Sequence, residues 1–243
     1  MDGAGKLLGL GVGPGDPELL TIKAARLLRG AQVVAWFAKS GKTGHARRIA
    51  DGYLAPDAEE LRFTYPYTTE FPKRSDEYRD AMAAFYDDAA ERIAAALDDR
   101  RDVALLCEGD PLFYGSFMYM HDRLAARYAI EIVPGVTAMA ACWSRAGLPM
   151  TRGDDCLSVL AGTLDEDTLA RRLKSADAAV IMKVGRHLGK VRRALDRAGL
   201  SDRAVYVENG STPDERIVRL PDMPTDDSPY FSLVLVPTGR ATS

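Results

Sequence analysis

The order in which apolar runs and amphipathic segments succeed one another restricts this chain more than any single motif. From "KLLGLG" to about Pro149, short apolar runs alternate with segments of helical periodicity. After "GLPMTRGDD" the texture changes: "AVYVENG", "ERIVRL" and "YFSLVLVP" come in succession with no helical segment among them. Parallel strands need a crossover, usually a helix, whereas successive strands without one pair antiparallel. The pattern therefore predicts an α/β fold of two domains. Residues 1–150 form a domain with a mostly parallel sheet, and residues 151–243 form an α/β domain with a mixed sheet, the boundary falling between Met150 and Asp154.

Within the first domain, "LLGLG", "AQVVAWF", "DVALLC" and "IEIV" read as strands, the third flanked by charge and apolar throughout, as a parallel strand buried on both faces should be. Asp16 and Pro17 read as N-cap and first residue of a helix through "PELLTIKAARLLRG", and "GHARRIADGYL" as a short helix. "TYPYTTEFPKRS" reads as a loop, after which Ser75 caps the long amphipathic "DEYRDAMAAFYDDAAERIAAALDD". In the second domain "CLSVLAG" and "AAVIMKVG" are strands with helices between.

Two glycine-rich turns carry the chemistry. "GLGVGPGDPELLT" begins as the first strand ends, and "LLCEGDPLFYGS" repeats its Gly-Asp-Pro after another buried strand. A dinucleotide loop needs G-x-G-x-x-G opening into a helix, but here Pro14 stands at the sixth position; a P-loop needs G-x-x-x-x-G-K-[ST], which is absent. A carboxylate at the edge where open parallel sheets bind ligands can accept ribose hydroxyls or face a cation, and it repels phosphate. The pair of turns thus favours a nucleoside-like ligand with positive charge and no phosphate, S-adenosylmethionine being one. The competing reading is steric: Gly and Pro make tight turns, and Asp16 and Asp110 cap the segments after them.

A formal net charge of −3 supplies no global cationic field for nucleic acid or a membrane surface. Cys107, Cys142 and Cys156 are far apart with no ligand spacing, so neither a disulfide framework nor a metal site is expected, and a reduced cytoplasm fits. The apolar run at the N-terminus is too short for a secretory signal, and no stretch approaches the roughly 20 apolar residues of a membrane span.

The ordered set "GVGPGDPELLT", "GDPLFYGS", "PGVTAMAACWSRAGLP", "VIMKVG" and "VENGSTPDERI" resembles the tetrapyrrole (corrin/porphyrin) methyltransferases over nearly the whole chain. The resemblance implies a homodimer whose active-site cleft lies between two domains, with S-adenosylmethionine bound there and a tetrapyrrole in a neighbouring trough of the first domain. It implies cofactor contacts at Pro14, at Glu108, Gly109 and Asp110, at Phe113, and at Thr137 and Ala138 after the Pro134-Gly135 turn. From the second domain it implies Met182 against adenine and the backbone at Gly210 reading the base edge, although Met182 also fits as a core gap-filler. Relatives acting on other tetrapyrroles often carry glycine where this chain has Glu108.

A carboxylate-rich substrate needs cations, and "FAKSGKTGHARR" offers Lys39, Lys42, His45, Arg47 and Arg48 after the second strand, with Lys73 and Arg74 as a further pair. A solvated loop and helix face is the alternative. Methyl transfer from a sulfonium requires alignment and exclusion of water, and a base can assist proton loss. His45, Tyr65, Tyr67, Tyr114 and His121 are the candidates for that base, none of them assigned, and Tyr114 is also a candidate substrate contact.

Overall fold

The computed structural model describes residues 3–67 and 76–239. Contacts divide the chain into two compact units, Met1–Thr137 and Ala138–Ser243. The boundary expected from sequence lies further along, because helix α5 (Ala138–Arg145) packs on the second sheet rather than the first. Lys73, Arg74 and the expected cap Ser75 lie outside the described residues.

The first unit contains β1 (Leu7–Gly11), α1 (Ile22–Arg29), β2 (Val33–Ala38), α2 (His45–Ala50), β3 (Glu59–Thr64), α3 (Asp76–Asp98), β4 (Val103–Cys107), α4 (Phe117–Leu124) and β5 (Ile130–Val133). Its five strands run in the order β3-β2-β4-β1-β5 and every pair is parallel. Strand β4 is central and buried along its whole length, as its unbroken apolar run requires. Alternate residues face opposite layers. Leu7, Val33, Val103 and Leu105 pack against α3 and α4, whereas Leu8, Val34, Ala104 and Leu106 pack against α1 and α2. Each buried Leu or Val among these contributes about 1.5–3 kcal/mol.

Two local expectations are corrected. The helix expected to begin at Pro17 is two elements: Asp16 caps a single turn, Pro17–Leu19, and Thr21 caps α1 afresh by accepting the Ala24 N–H at 3.1 Å. Strand β3 is an element that the apolar runs do not announce. It is an edge strand with Phe63 alone fully buried, so its pattern of Glu59, Glu60 and Arg62 is mostly solvent-facing.

In the second unit α5 is succeeded by β6 (Leu157–Ala161), α6 (Glu166–Lys174), β7 (Ala178–Met182), α7 (Leu188–Ala198), β8 (Val205–Glu208), β9 (Arg216–Arg219) and β10 (Ser232–Val236). The sheet order is β6-β7-β10-β8-β9, with β6 and β7 parallel and the remaining pairs antiparallel, a mixed sheet as predicted. Helices α6 and α7 cover one face and α5 the other. No described helix is long and apolar enough to cross a membrane.

Candidate functional site

All strands of the first sheet being parallel, the segments leaving β1, β2, β4 and β5 emerge at one edge. Gly11 is in register with Cys107, and Leu10 with Val133. Pro14, Glu108 to Asp110, Thr137 and Lys39 are therefore gathered at one edge by topology alone. Pro14, Phe113 and Thr137 are half-buried there, and Tyr114 is exposed with a positive φ of 57°.

The glycines serve a backbone crossing. A Cβ at Gly135 would lie 2.1 Å from the Gly109 carbonyl oxygen and 2.9 Å from Gly11 Cα, and one at Gly11 would lie 2.5 Å from Gly135 N. Three chain segments thus pass with no room for a side chain. The Gly109 N–H donates to the Gly13 carbonyl at 2.8 Å, stitching the β1 and β4 exits together. Asp110 ties in the third segment: Oδ1 accepts the Leu112 N–H at 2.9 Å, and Oδ2 accepts the Gly135 N–H at 3.2 Å. Asp16 makes the corresponding local bond, accepting the Glu18 N–H at 2.9 Å. A carboxylate has about four lone-pair sites, so Asp110 keeps capacity for a ligand hydroxyl while bracing the crossing.

Glu108 is an exposed residue, yet protein crowds its carboxyl. Desolvation pushes it up to about 7, against the opposing effects of a hydrogen bond from the Ala46 amide and of the Arg48 charge. At that value the carboxyl can hold or release a proton near neutrality. Burial foremost, with Asp110 and Glu108 nearby, raises the Cys107 thiol, which marks the carboxylates' field at this edge.

The basic stretch divides in two. Arg47 donates to Glu60 Oε1 at 2.9 and 2.7 Å and to Asp51 at 2.6 Å, with its guanidinium 5.7 Å from the Trp36 ring. That fork is engaged in bracing α2 against β3, which leaves it poorly placed to take a substrate carboxylate. Arg48, exposed, lies 2.8 Å from His45 Nδ1. Desolvation, then Arg48 and Lys39, lowers the His45 pKa, so the ring is neutral at pH 7 and accepts from Arg48. Lys39, Lys42 and Arg48 form an exposed cationic rim, with the neutral ring of His45 among them.

The remaining base candidates lie in varied settings. The Tyr65 hydroxyl is 2.6 Å from Ser116 Oγ, the Tyr67 ring is 6.1 Å from that of Tyr78, and His121 sits a turn along α4 near Phe117. Among the described residues no group of three metal-ligating side chains occurs.

In the second unit β7 and β8 point the same way, since both pair antiparallel with β10, and Ile181 and Tyr206 both oppose Val234. Met182 and Gly210 therefore leave at one edge, on either side of β10. Both are half-buried. A Cβ at Gly210 would lie 2.4 Å from Cys142 Sγ, so this turn admits only glycine without rearrangement. Sequence reasoning does not find the Tyr206, Ser228 and Ser232 hydroxyls linked at this edge, nor the Arg145–Glu215 pair at 2.9 Å beneath the turn. Residues of these types far apart in sequence leave no local pattern.

The family profile of Tetrapyrrole (Corrin/Porphyrin) Methylases matches residues 6–222. A Precorrin-2 C(20)-methyltransferase of Sinorhizobium sp. is 54% identical over 235 residues, covering 97% of this chain and 96% of that protein. Among solved structures, a cobalt precorrin-4 methyltransferase superposes with a TM-score of 0.73 at 25% identity, over 96% of this chain and 94% of the other. A uroporphyrin-III C-methyl transferase from Thermus thermophilus, complexed with S-adenosyl homocysteine, superposes with a TM-score of 0.66 at 26% identity, over 95% and 97% of the two chains. The chain belongs to the tetrapyrrole (corrin/porphyrin) methyltransferase family.

Proposed function

We propose that the chain methylates precorrin-2 at C(20) with S-adenosylmethionine, giving precorrin-3A in cobalamin (vitamin B12) biosynthesis. The 54% identity over 97% of the chain to a protein of that activity carries this reading. The wording of "CEGDPLFYGSFMY" and "VIMKVGRHLGKVRRAL" agrees with it.

The residues present fit the cofactor. The Gly11, Gly109 and Gly135 crossing leaves backbone, with no Cβ, at the strand-exit edge, and the carboxylates there suit a sulfonium. When bound, S-adenosylmethionine supplies an electrophilic methyl group on a positively charged sulfur. Pro14, Glu108, Gly109, Asp110, Phe113, Thr137 and Ala138 are the residues assigned to hold it, and Met182 and the Gly210 backbone are assigned to its adenine. Two of the lone pairs of Asp110 remain for a ribose hydroxyl. Lys39, His45 and Arg48 receive the carboxylates of the ring, with Tyr114 at the same rim. Arg47, bound to Glu60 and Asp51, positions α2 and with it Arg48. Glu108, titrating near neutrality, is suited to take up the proton that the reacting carbon releases. The enzyme acts as a homodimer in the cytoplasm and needs neither metal nor nucleic acid nor membrane.

The product decides the matter. Purified precorrin-2 incubated with the protein and carbon-labelled S-adenosylmethionine should give one labelled methyl, located at C(20) by carbon NMR. A label at another carbon, or turnover only of the cobalt-containing ring, would overturn this assignment.

A further inference from the structure

A chain of hydroxyls crosses the strand-exit edge of the second sheet. Tyr206, fully buried, donates to Glu208 Oε2 at 2.7 Å and lies 2.9 Å from Ser228 Oγ. Ser228 Oγ is 2.6 Å from Ser232 Oγ, which accepts the Gly185 N–H at 3.2 Å. Ser232 donates its hydroxyl proton to the Pro229 carbonyl at 2.8 Å. With Tyr206 donating to the Glu208 carboxylate, the single hydroxyl proton of Ser228 is shared between two acceptors, Tyr206 and Ser232.

The two ends of this chain are what give it a consequence. Gly185 belongs to the loop that leaves Met182, and Glu208 immediately precedes the Asn209-Gly210 turn. Both loops hold residues in the left-handed region, Lys183 at φ 57°, Asn209 at φ 49° and Ser211 at φ 67°. Such conformations persist only where their surroundings impose them. Strand β10 separates the two loops, and the hydroxyl chain spans it.

We propose that Tyr206, Ser228 and Ser232 are positioning residues that fix the spacing between the Met182 loop and the Gly210 turn, and so set how tightly the adenine edge is read. This inference rests on the reading that these two loops take the adenine. The hydroxyls themselves do not touch the base; they act through the loops. Tyr206 is suited to the part because burial, foremost, holds its phenol up to about 12, so that it stays a donor at every physiological pH.

The test compares S-adenosylhomocysteine with S-inosylhomocysteine, in which a 6-oxo group and an N1–H replace the 6-amino group and the N1 acceptor of the base, by calorimetry on the whole chain. Wild type should prefer the adenine form. Tyr206→Phe and Ser228→Ala should each reduce that preference about fivefold, the worth of one well-placed hydrogen bond. Ser228→Thr, which keeps the hydroxyl, should restore it. Ser228 is half-exposed, so its variants keep the test open should Tyr206→Phe fail to fold. An undiminished preference in folded variants overturns the positioning role alone. A wild type indifferent to the base overturns the adenine reading and this inference with it.

Discussion

Replacing Gly135 by Ala should cost the first unit a large share of its stability. The new Cβ would sit 2.1 Å from the Gly109 carbonyl oxygen and 2.9 Å from both C and Cα of Gly11, where 3.4 Å is ordinary contact. Every one of those atoms is backbone, so no side chain can swing aside. Opening the gap must move the β4 or β1 exit, and those are tied by Gly109 N to Gly13 O at 2.8 Å and by Gly135 N to Asp110 Oδ2 at 3.2 Å. Overpacking costs about 1–3 kcal/mol. Each hydrogen bond disrupted adds about 1 kcal/mol. The total, about 3–5 kcal/mol, is at least about a fifth of the roughly 5–15 kcal/mol a typical domain possesses. Trp36 lies in the first unit and the other tryptophan, Trp143, in the second. A Trp143→Phe background therefore leaves fluorescence reporting on the first unit alone. With a urea dependence of about 1–3 kcal/mol per molar, the midpoint should fall by at least about 1 M. Gly52→Ala is the matched control, because nothing lies within 4 Å of its Cβ and its φ is not positive; it should be neutral or slightly stabilising. A Gly135→Ala protein within about 0.5 kcal/mol of its parent would refute the crossing as a steric requirement.

The same strand-exit geometry sets three further expectations. Glu108, held at about 7 against an ordinary 4.5, favours the folded state fully below about pH 4.5 and loses that contribution as pH rises through 7. The shift is nominally about 3 kcal/mol, cut to about 1 kcal/mol because solvent reaches the side chain. Glu108→Gln should therefore gain stability over wild type between pH 5 and pH 8, and a pH-independent difference in urea midpoints would contradict this. Gly210→Ala presses on Cys142 Sγ at 2.4 Å, so Cys142→Ala should relieve its cost by about 1 kcal/mol or more in a double-mutant cycle; strict additivity would remove the contact as the cause. Arg47→Ala should lower the melting temperature with little effect on substrate affinity, whereas Arg48→Ala should weaken tetrapyrrole binding in a fluorescence titration and leave the melt unchanged. The reverse pattern would return Arg47 to the substrate rim.

The fold is legible wherever burial dictates composition. "DVALLC" is apolar because β4 is covered on both faces, and "AVYVENG", "ERIVRL" and "YFSLVLVP" are uninterrupted by helix because β8, β9 and β10 pair antiparallel. Strand β3 escapes notice for the same reason in reverse. At the edge of the sheet its side chains are largely solvated, and pairing with β2 over Val33 to Ala38, rather than any periodicity of its own, makes it a strand. The break between Leu19 and Ile22 is hidden because Asp16-Pro17 and Thr21 are both good helix starts; tertiary contact, which sequence does not display, selects the second for α1.

At the site the sequence displays residue types without their engagements. Two Gly-Asp-Pro turns look alike on the page, yet Asp16 accepts from Glu18 in its own turn while Asp110 reaches across to Gly135, a residue 25 positions away. The asymmetry arises from strand order. Strand β1 lies between β4 and β5, so the segments leaving all three must pass one another, and a carboxylate after β4 is placed to clasp the segment leaving β5. Arg47 and Arg48 are likewise adjacent and chemically identical, but a helical turn of about 100° per residue sends one toward Glu60 on β3 and the other toward Glu108. Only the first of these carboxylates grips its arginine in a two-donor fork. The second is crowded enough to titrate near neutrality, so the charge of Arg48 is left partly uncompensated at the rim where an anionic ring would dock.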